Sequence, residues 1–219
     1  RNLRNHGSNQ MSSNLKVKIN KDKLKHGARL VVKIGTSVIT NDKNAVCDRM
    51  INNLASQISS LQKEGFKVIV VSSGAIAAGV HRMGWKQKPK KISRLQAAAA
   101  VGQVSLVETY EKEFKKNGLT TAQVLITGED FSSRKRFLNS RATFETLLSE
   151  NILVIVNEND TVSTDEIKVG DNDTLAASIA TTIQADLFVI LTDQKGLFTE
   201  NPTSSSQAKL IQSVDVNDN

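Results

Sequence analysis

The chain has 219 residues, 39% of them apolar and 23% charged, with a formal net charge of +7 and a single cysteine. That balance suits one globular, water-soluble domain, and no apolar run approaches the roughly 18 residues a membrane span requires. Cys47 has no cysteine partner and the N-terminus lacks a signal-peptide apolar core, so a cytoplasmic location is expected.

The charge is unevenly placed. Seven basic residues and one acid, Asp22, fall within residues 1–28, so six of the seven net positive charges sit there. Residues 1–28 read as a basic flexible leader, and residues 1–10, ahead of Met11, as a segment foreign to the domain. A second basic cluster, Lys86, Lys88, Lys90 and Lys91 around Pro89, has only Trp85 beside it. Single-strand binders stack bases on several aromatics, so nucleic acid is not an expected partner, and neither is a membrane.

From residue 29 onward, five short apolar runs stand out, at 30–34, 68–71, 122–126, 152–156 and 187–191. Their length and β-branched content predict strands buried on both faces. Helical stripes lie between them. Ile51, Leu54, Ala55, Ile58 and Leu61 form one, Phe137, Arg141, Phe144, Leu147 and Leu148 another, and Leu175, Ile179 and Ile183 a third. Ser72-Ser73-Gly74-Ala75 opens a small-residue helix expected to end at Gly79. This alternation predicts an α/β fold, a three-layer α/β/α sandwich around a mostly parallel sheet, with residues 29–219 as one domain.

In such folds ligands bind beyond the C-terminal ends of the strands. At the first exit, Lys33 precedes Gly35, a point charge beside a residue that permits close backbone approach. At the second, free N–H groups at the helix start after Ser73 and Gly74 suit a carboxylate or phosphate, or serve only tight helix packing. The fourth, residues 157–173, holds six carboxylates, three asparagines and one lysine. Carboxylates that crowded call for a cation, an ammonium or many N–H donors. Asp171 or Asp173 alone could be a helix N-cap, but two aspartates flanking Asn172 exceed what a cap needs. At the fifth, Thr192 and Asp193 precede Gly196, a nucleotide-holding loop or a plain turn. No P-loop or dinucleotide fingerprint occurs, and the three histidines are scattered. Glycine-rich anion sites, a lysine and clustered Asp/Asn together suit phosphoryl transfer, where catalysis is positioning and charge neutralisation.

The segments V-V-K-I-G-T-S-V, V-S-S-G-A-I-A-A-G, A-A-V-G-Q, V-N-E-N-D-T-V, I-K-V-G-D-N-D and L-T-D-Q-K-G-L occur in that order. Together they resemble the glutamate 5-kinase branch of the amino-acid kinase family, or the kinase half of a pyrroline-5-carboxylate synthase. The resemblance implies ATP-dependent phosphorylation of the γ-carboxylate of L-glutamate, with Mg2+, as the first step of proline biosynthesis. It also implies proline as a feedback inhibitor and assembly into a homo-oligomer. By motif, Lys33 would act on the transferring phosphoryl group, with Asp171 and Asp173 orienting lysines or magnesium. Ser73, Gly74, Ala75, Asp160 and Asn172 would bind glutamate, and Lys33, Gly35, Thr192 and Asp193 the nucleotide. Gly35 and Gly74 would offer backbone N–H groups. The metal ligands stay open. The family's later G-T-G-G-M-x-T-K-like segment, with a second phosphate-binding lysine, does not occur before Asn219, so the domain is expected to be incomplete at its C-terminus. Two alternatives stand beside this reading: a non-catalytic glutamate or proline sensor, and a related kinase with another carboxylate substrate.

Overall fold

The computed structural model describes residues 24–41, 45–163 and 172–214. Most of the basic leader, and the stretch from residue 164 through Asp171, lie outside the described residues.

Five strands form one parallel sheet in the order β3-β4-β2-β1-β5. They are β1 (Arg29–Ile34), β2 (Lys67–Ser72), β3 (Thr121–Ile126), β4 (Leu153–Glu158) and β5 (Leu187–Leu191), all at the positions the apolar runs predict. The central three, RLVVKI, KVIVVS and LVIVNE, are buried along nearly their whole length, as β-branched strands covered on both faces should be. The outer two depart from that expectation. β3 and β5 are edge strands with their faces only partly covered, leaving Leu125 and Ile190 exposed.

Strand alternation sends residues 30, 32 and 34 of β1 into one core and Val31 into the other. The first core lies under α2 (Asp48–Lys63) and α4 (Ile92–Lys116). The second lies under α6 (Arg134–Ser149) and α7 (Asn172–Thr182), which gives three layers. Short helices α1 (Thr36–Ile39) and α5 (Gly128–Ser132) follow β1 and β3, and α3 (Ala75–Arg82) follows β2. A small antiparallel pair, β6 (Leu197–Phe198) with β7 (Leu210–Ile211), had no signal in the periodicity. Beneath the first layer, the buried Glu113 of α4 accepts from Lys116 at 2.6 Å and from Asn52 of α2 at 2.9 Å, tying those two helices together.

Gly79 does not end α3 but sits inside it, at its crossing with α4. A Cβ on Gly79 would overlap the backbone carbonyl of Ala98, and one on Gly102 would overlap that of Ala75. The two helices therefore meet backbone to backbone, which only glycine at both positions permits. Gly102→Ala must force them apart, and overpacking of this kind costs about 1–3 kcal/mol. The expected result in thermal melts is a Tm lower by several degrees, at roughly 2–4 °C per kcal/mol for a chain of this size. An unchanged Tm would mean the crossing is looser than described.

Candidate active site

Because β1, β2, β4 and β5 run parallel, their C-terminal ends open onto one side of the sheet, and backbone bonds lace the exits together. Gly35 N–H donates to Leu191 O at 3.0 Å, and Ser73 N–H donates to Ile34 O at 3.2 Å. This corrects one expectation. The Gly35 N–H is occupied, so that glycine contributes room rather than a donor. A Cβ there would lie 3.3 Å from Leu191 O and 3.8 Å from Lys33 Nζ.

Asn172, the first residue of α7, closes the centre of this face. Its Nδ2 donates to Ser72 O at 2.6 Å, and lies 3.0 Å from Ser73 Oγ and 3.2 Å from Asn157 Oδ1. One amide thus joins the ends of β2 and β4 to the start of a helix 100 residues later in the chain than Ser72. Asn157 is itself buried. Its Nδ2 donates to Gln103 Oε1 at 2.7 Å and its Oδ1 accepts from the Glu158 N–H at 2.9 Å. Below Ser73, the buried Ser72 hydroxyl shares a 3.0 Å hydrogen bond with Tyr110 of α4, and burial raises the Tyr110 phenol far above its ordinary pKa.

Lys33 points to the α7 side of the sheet, where Asp173 Oδ1 meets its Nζ at 2.7 Å. The lysine side chain is 8% exposed and the aspartate 50%, so a buried ammonium is neutralised by a carboxylate that still faces outward. Asp173 also lies in the first turn of α7, where the helix dipole favours an anion. Next to Ser73, Gly74 takes a left-handed conformation (φ 100°) as the cap of α3. That backbone shape suits glycine, and a Cβ would also press on Ile39 Cδ1 at 3.2 Å. Ala78 N–H makes the first intrahelical bond, to Gly74 O, so the N–H groups of Gly74 and Ala75 precede the helix ladder.

The start of the acidic loop continues the β3–β4 ladder. Asn159 N–H donates to Ile126 O at 2.9 Å, and the turn it begins is held to α4 by Gln96 Nε2 donating to Ser163 O at 3.1 Å. Within it, burial pushes the Asp160 carboxyl up to about 6; Glu158 adds to the rise and Lys88 opposes it. Lys88 is in turn lowered by burial and raised by Asp160. Lys88 of the basic 86–91 cluster therefore has an acidic counterpart within the protein. Arg94 stacks over Trp85 at 4.5 Å, which occupies the one aromatic beside that cluster.

The structure thus gathers Lys33, Gly35, Ser73, Gly74, Ala75, Asn172 and Asp173 around one strand-end face. Thr192 and Asp193 stand at its β5 margin, next to the Leu191–Gly35 bond. Thr192 Oγ1 accepts from the Gln194 N–H and lies near Asp193 Oδ1, each at 3.3 Å. Asp171 lies outside the described residues. Sequence reasoning passed over Asn157, Gln103, Tyr110, Ser72, Gln96 and Lys88. The signal for Gln103 was present in A-A-V-G-Q, where Gly102 marks a helix crossing next to a polar side chain. Among the described residues, no group of three or more His, Cys, Asp or Glu side chains is placed to hold a metal ion. None of the described helices is long and apolar enough to cross a membrane.

A parallel sheet between two helical layers, with a lysine, glycines and an Asn-Asp helix start at its strand ends, defines a three-layer α/β protein. The chain belongs to the amino acid kinase family, whose family model matches residues 28–219. It is 52% identical over 195 residues to a glutamate 5-kinase of Nitrosospira multiformis, covering 89% of this chain and 52% of that one. It is 51% identical over 191 residues to a glutamate 5-kinase of Azoarcus sp., with 87% and 52% covered. The chain spans about half the length of the curated relatives it matches. Among solved structures, an isopentenyl phosphate kinase of T. acidophilum in a product complex superposes with a TM-score of 0.59 at 19% identity, covering 86% of this chain and 80% of that one. That likeness establishes the shared fold.

Asp160 provides a test of the site's electrostatics. A carboxyl whose pKa is raised on folding penalises the folded state once it ionises. The penalty is absent below the ordinary value of 3.8, grows as pH rises to about 6, and is full above that. Asp160→Asn should therefore raise the Tm of the ligand-free protein at pH 7.5 by a few degrees, at roughly 2–4 °C per kcal/mol. Melts taken across the pH range should show the gap closing below pH about 4. A mutant that melts lower than the parent at pH 7.5 would assign Asp160 a structural role in the turn instead.

Proposed function

We propose that the complete protein transfers the γ-phosphoryl group of ATP to the γ-carboxylate of L-glutamate, giving γ-glutamyl phosphate, the first step of proline biosynthesis. The observation that carries this reading is the single strand-end face holding the Lys33–Asp173 pair beside the Asn172 cluster. The named activity of the half-identical relatives supports it.

In this reading the Lys33 end takes the phosphoryl group and the Asn172 end takes the amino acid. An oxygen of the γ-carboxylate attacks the γ-phosphorus, the bond from phosphorus to the bridging oxygen breaks, and ADP leaves with its electron pair. No proton has to move. The obstacle is electrostatic, because two anions must meet. A buried ammonium stabilises the charge on the transferring group far better than one in water does. Asp173 holds that ammonium in place without burying a second unpaired charge. The α-ammonium of glutamate is assigned to Asp160 and the Asn172 carbonyl, and its carboxylates to the Ser73 hydroxyl and the N–H groups of Gly74 and Ala75. Proline, which also presents an ammonium beside a carboxylate, is proposed to compete there. Thr192, Asp193 and Gly35 are assigned to the nucleotide. Magnesium binds proteins through one or two carboxylates plus phosphates; Asp173 would help hold it, and it would supply charge neutralisation.

The reading predicts that the full-length protein releases ADP from ATP only when L-glutamate is supplied, with hydroxylamine trapping the acyl phosphate. Equal turnover with aspartate or acetylglutamate would refute the substrate assignment. Lys33→Met should lower kcat about a hundredfold or more, on the order of 3 kcal/mol, while the glutamate KM changes little. Near-normal kcat with only a raised KM would remove Lys33 from the chemical step.

A further inference from the structure

Three polar side chains of α4 hydrogen-bond to three different parts of the candidate site. Gln96 reaches Ser163 O in the acidic loop, Gln103 reaches Asn157 at the end of β4, and Tyr110 reaches Ser72 at the end of β2. They are seven residues apart in sequence. Seven residues fall about 20° short of two helical turns, so the three share one face of α4 and rise roughly 10 Å from one to the next. The Gly102 crossing with α3 lies immediately beside Gln103 and fixes where along the sheet this face sits.

The middle contact has a consequence for Asn172, because backbone groups determine which way both amides point. Glu158 N–H can only donate, so the Asn157 atom it meets is Oδ1. Asn157 Nδ2 must then face away, toward Gln103 Oε1. Ser72 O can only accept, so the Asn172 atom it meets is Nδ2, and that same nitrogen faces Asn157 Oδ1. Asn172 Oδ1 is thereby turned from the cluster. Ser73 Oγ, by accepting from Asn172 Nδ2, keeps its own hydrogen to donate. The face is left with one fixed acceptor and one fixed donor, which is what an ammonium beside a carboxylate requires. Without an acceptor at 103, the buried Asn157 Nδ2 has none. Flipping Asn157 would set its Nδ2 against the Glu158 N–H and Asn172 Nδ2, donor against donor.

We propose that Gln103 is a positioning residue: backbone groups set the orientation of the Asn157 and Asn172 amides, and Gln103, accepting from Asn157 Nδ2, holds Asn157 in that orientation as the neighbour of Asn172, so that Asn172 Oδ1 stays presented to the ammonium of the amino-acid substrate. The amide lock is a property of the protein alone. Its effect on substrate rests on the glutamate reading above.

Two measurements on the full-length protein separate these. With asparagine labelled by nitrogen-15, the side-chain amide signals of Asn157 and Asn172 report the lock directly. Gln103→Met keeps the volume and removes the acceptor. It should shift both signals and speed their hydrogen exchange at least tenfold, while Gln103→Glu, which restores an Oε acceptor, should recover most of the protection. In kinetics, Gln103→Met should raise the glutamate KM about tenfold with kcat and the ATP KM within about twofold. Unchanged amide signals would overturn the proposal. So would a parallel rise of both KM values with a lower Tm, which is the mark of general loosening. A parent protein that does not turn over glutamate would refute the functional reading, and the amide signals would still decide the role of Gln103.

Discussion

The side-chain amide of Asn172 is the constraint on which the rest of the site depends. Backbone bonds lace neighbouring strand ends, β1 to β5 and β2 to β1, but each exit then leads into a different crossover. Asn172 bridges two of those exits from the first turn of α7, and the residue after it, Asp173, reaches Lys33 on β1. Three strand ends are thus coupled through two consecutive residues of one helix. A short polar side chain serves here where a charged one would not. Within the cluster, every contact of Nδ2 is to a neutral oxygen, so no ion is buried without a partner.

The support under this cluster comes from α4, and α4 is positioned by the absence of side chains. Gly79 and Gly102 let it touch α3 through the backbone, while Glu113 ties its far end to α2. The crossing holds α4 near its middle and Glu113 near its C-terminal end, and its polar face sets the spacing of what it touches. The same reasoning accounts for the charge pattern around residues 83–91. Of those lysines, Lys88 faces the half-buried Asp160 and partly offsets the cost of holding it beside Glu158.

Much of this was legible in the sequence, and the omissions have physical reasons. The five apolar runs marked the five strands because β-branched segments of that length have few other stable uses. Which strands lie at the edges was not readable, since β3 and β5 are as apolar as the central ones and differ only in what covers them. The motif residues Lys33, Ser73, Gly74, Asn172 and Asp173 come together because they end strands or begin helices on one face. Asn157 stood inside the acidic segment yet drew no role, since its importance lies in contacts 15 and 54 residues away. Gln96 and Tyr110 were invisible for the same reason. A polar stripe on a buried helix looks like scattered polarity until its partners are placed opposite. Gly79 resembled a helix end because a mid-helix glycine is costly on propensity alone; its helix crossing reverses that preference.

The central claim is that the face around Asn172 binds an amino acid by its ammonium, with the acceptor turned outward and the charged loop beyond it. The most direct measurement is a crystal structure of the full-length protein with L-glutamate and a non-hydrolysable ATP analogue. The account predicts the α-nitrogen at about 2.7–3.2 Å from Asn172 Oδ1. It also predicts Asp160 beside that nitrogen and the γ-carboxylate directed toward Lys33. A glutamate bound with a carboxylate against Asn172 and its ammonium elsewhere, or a nucleotide phosphate filling the Asn172 cluster, would contradict it.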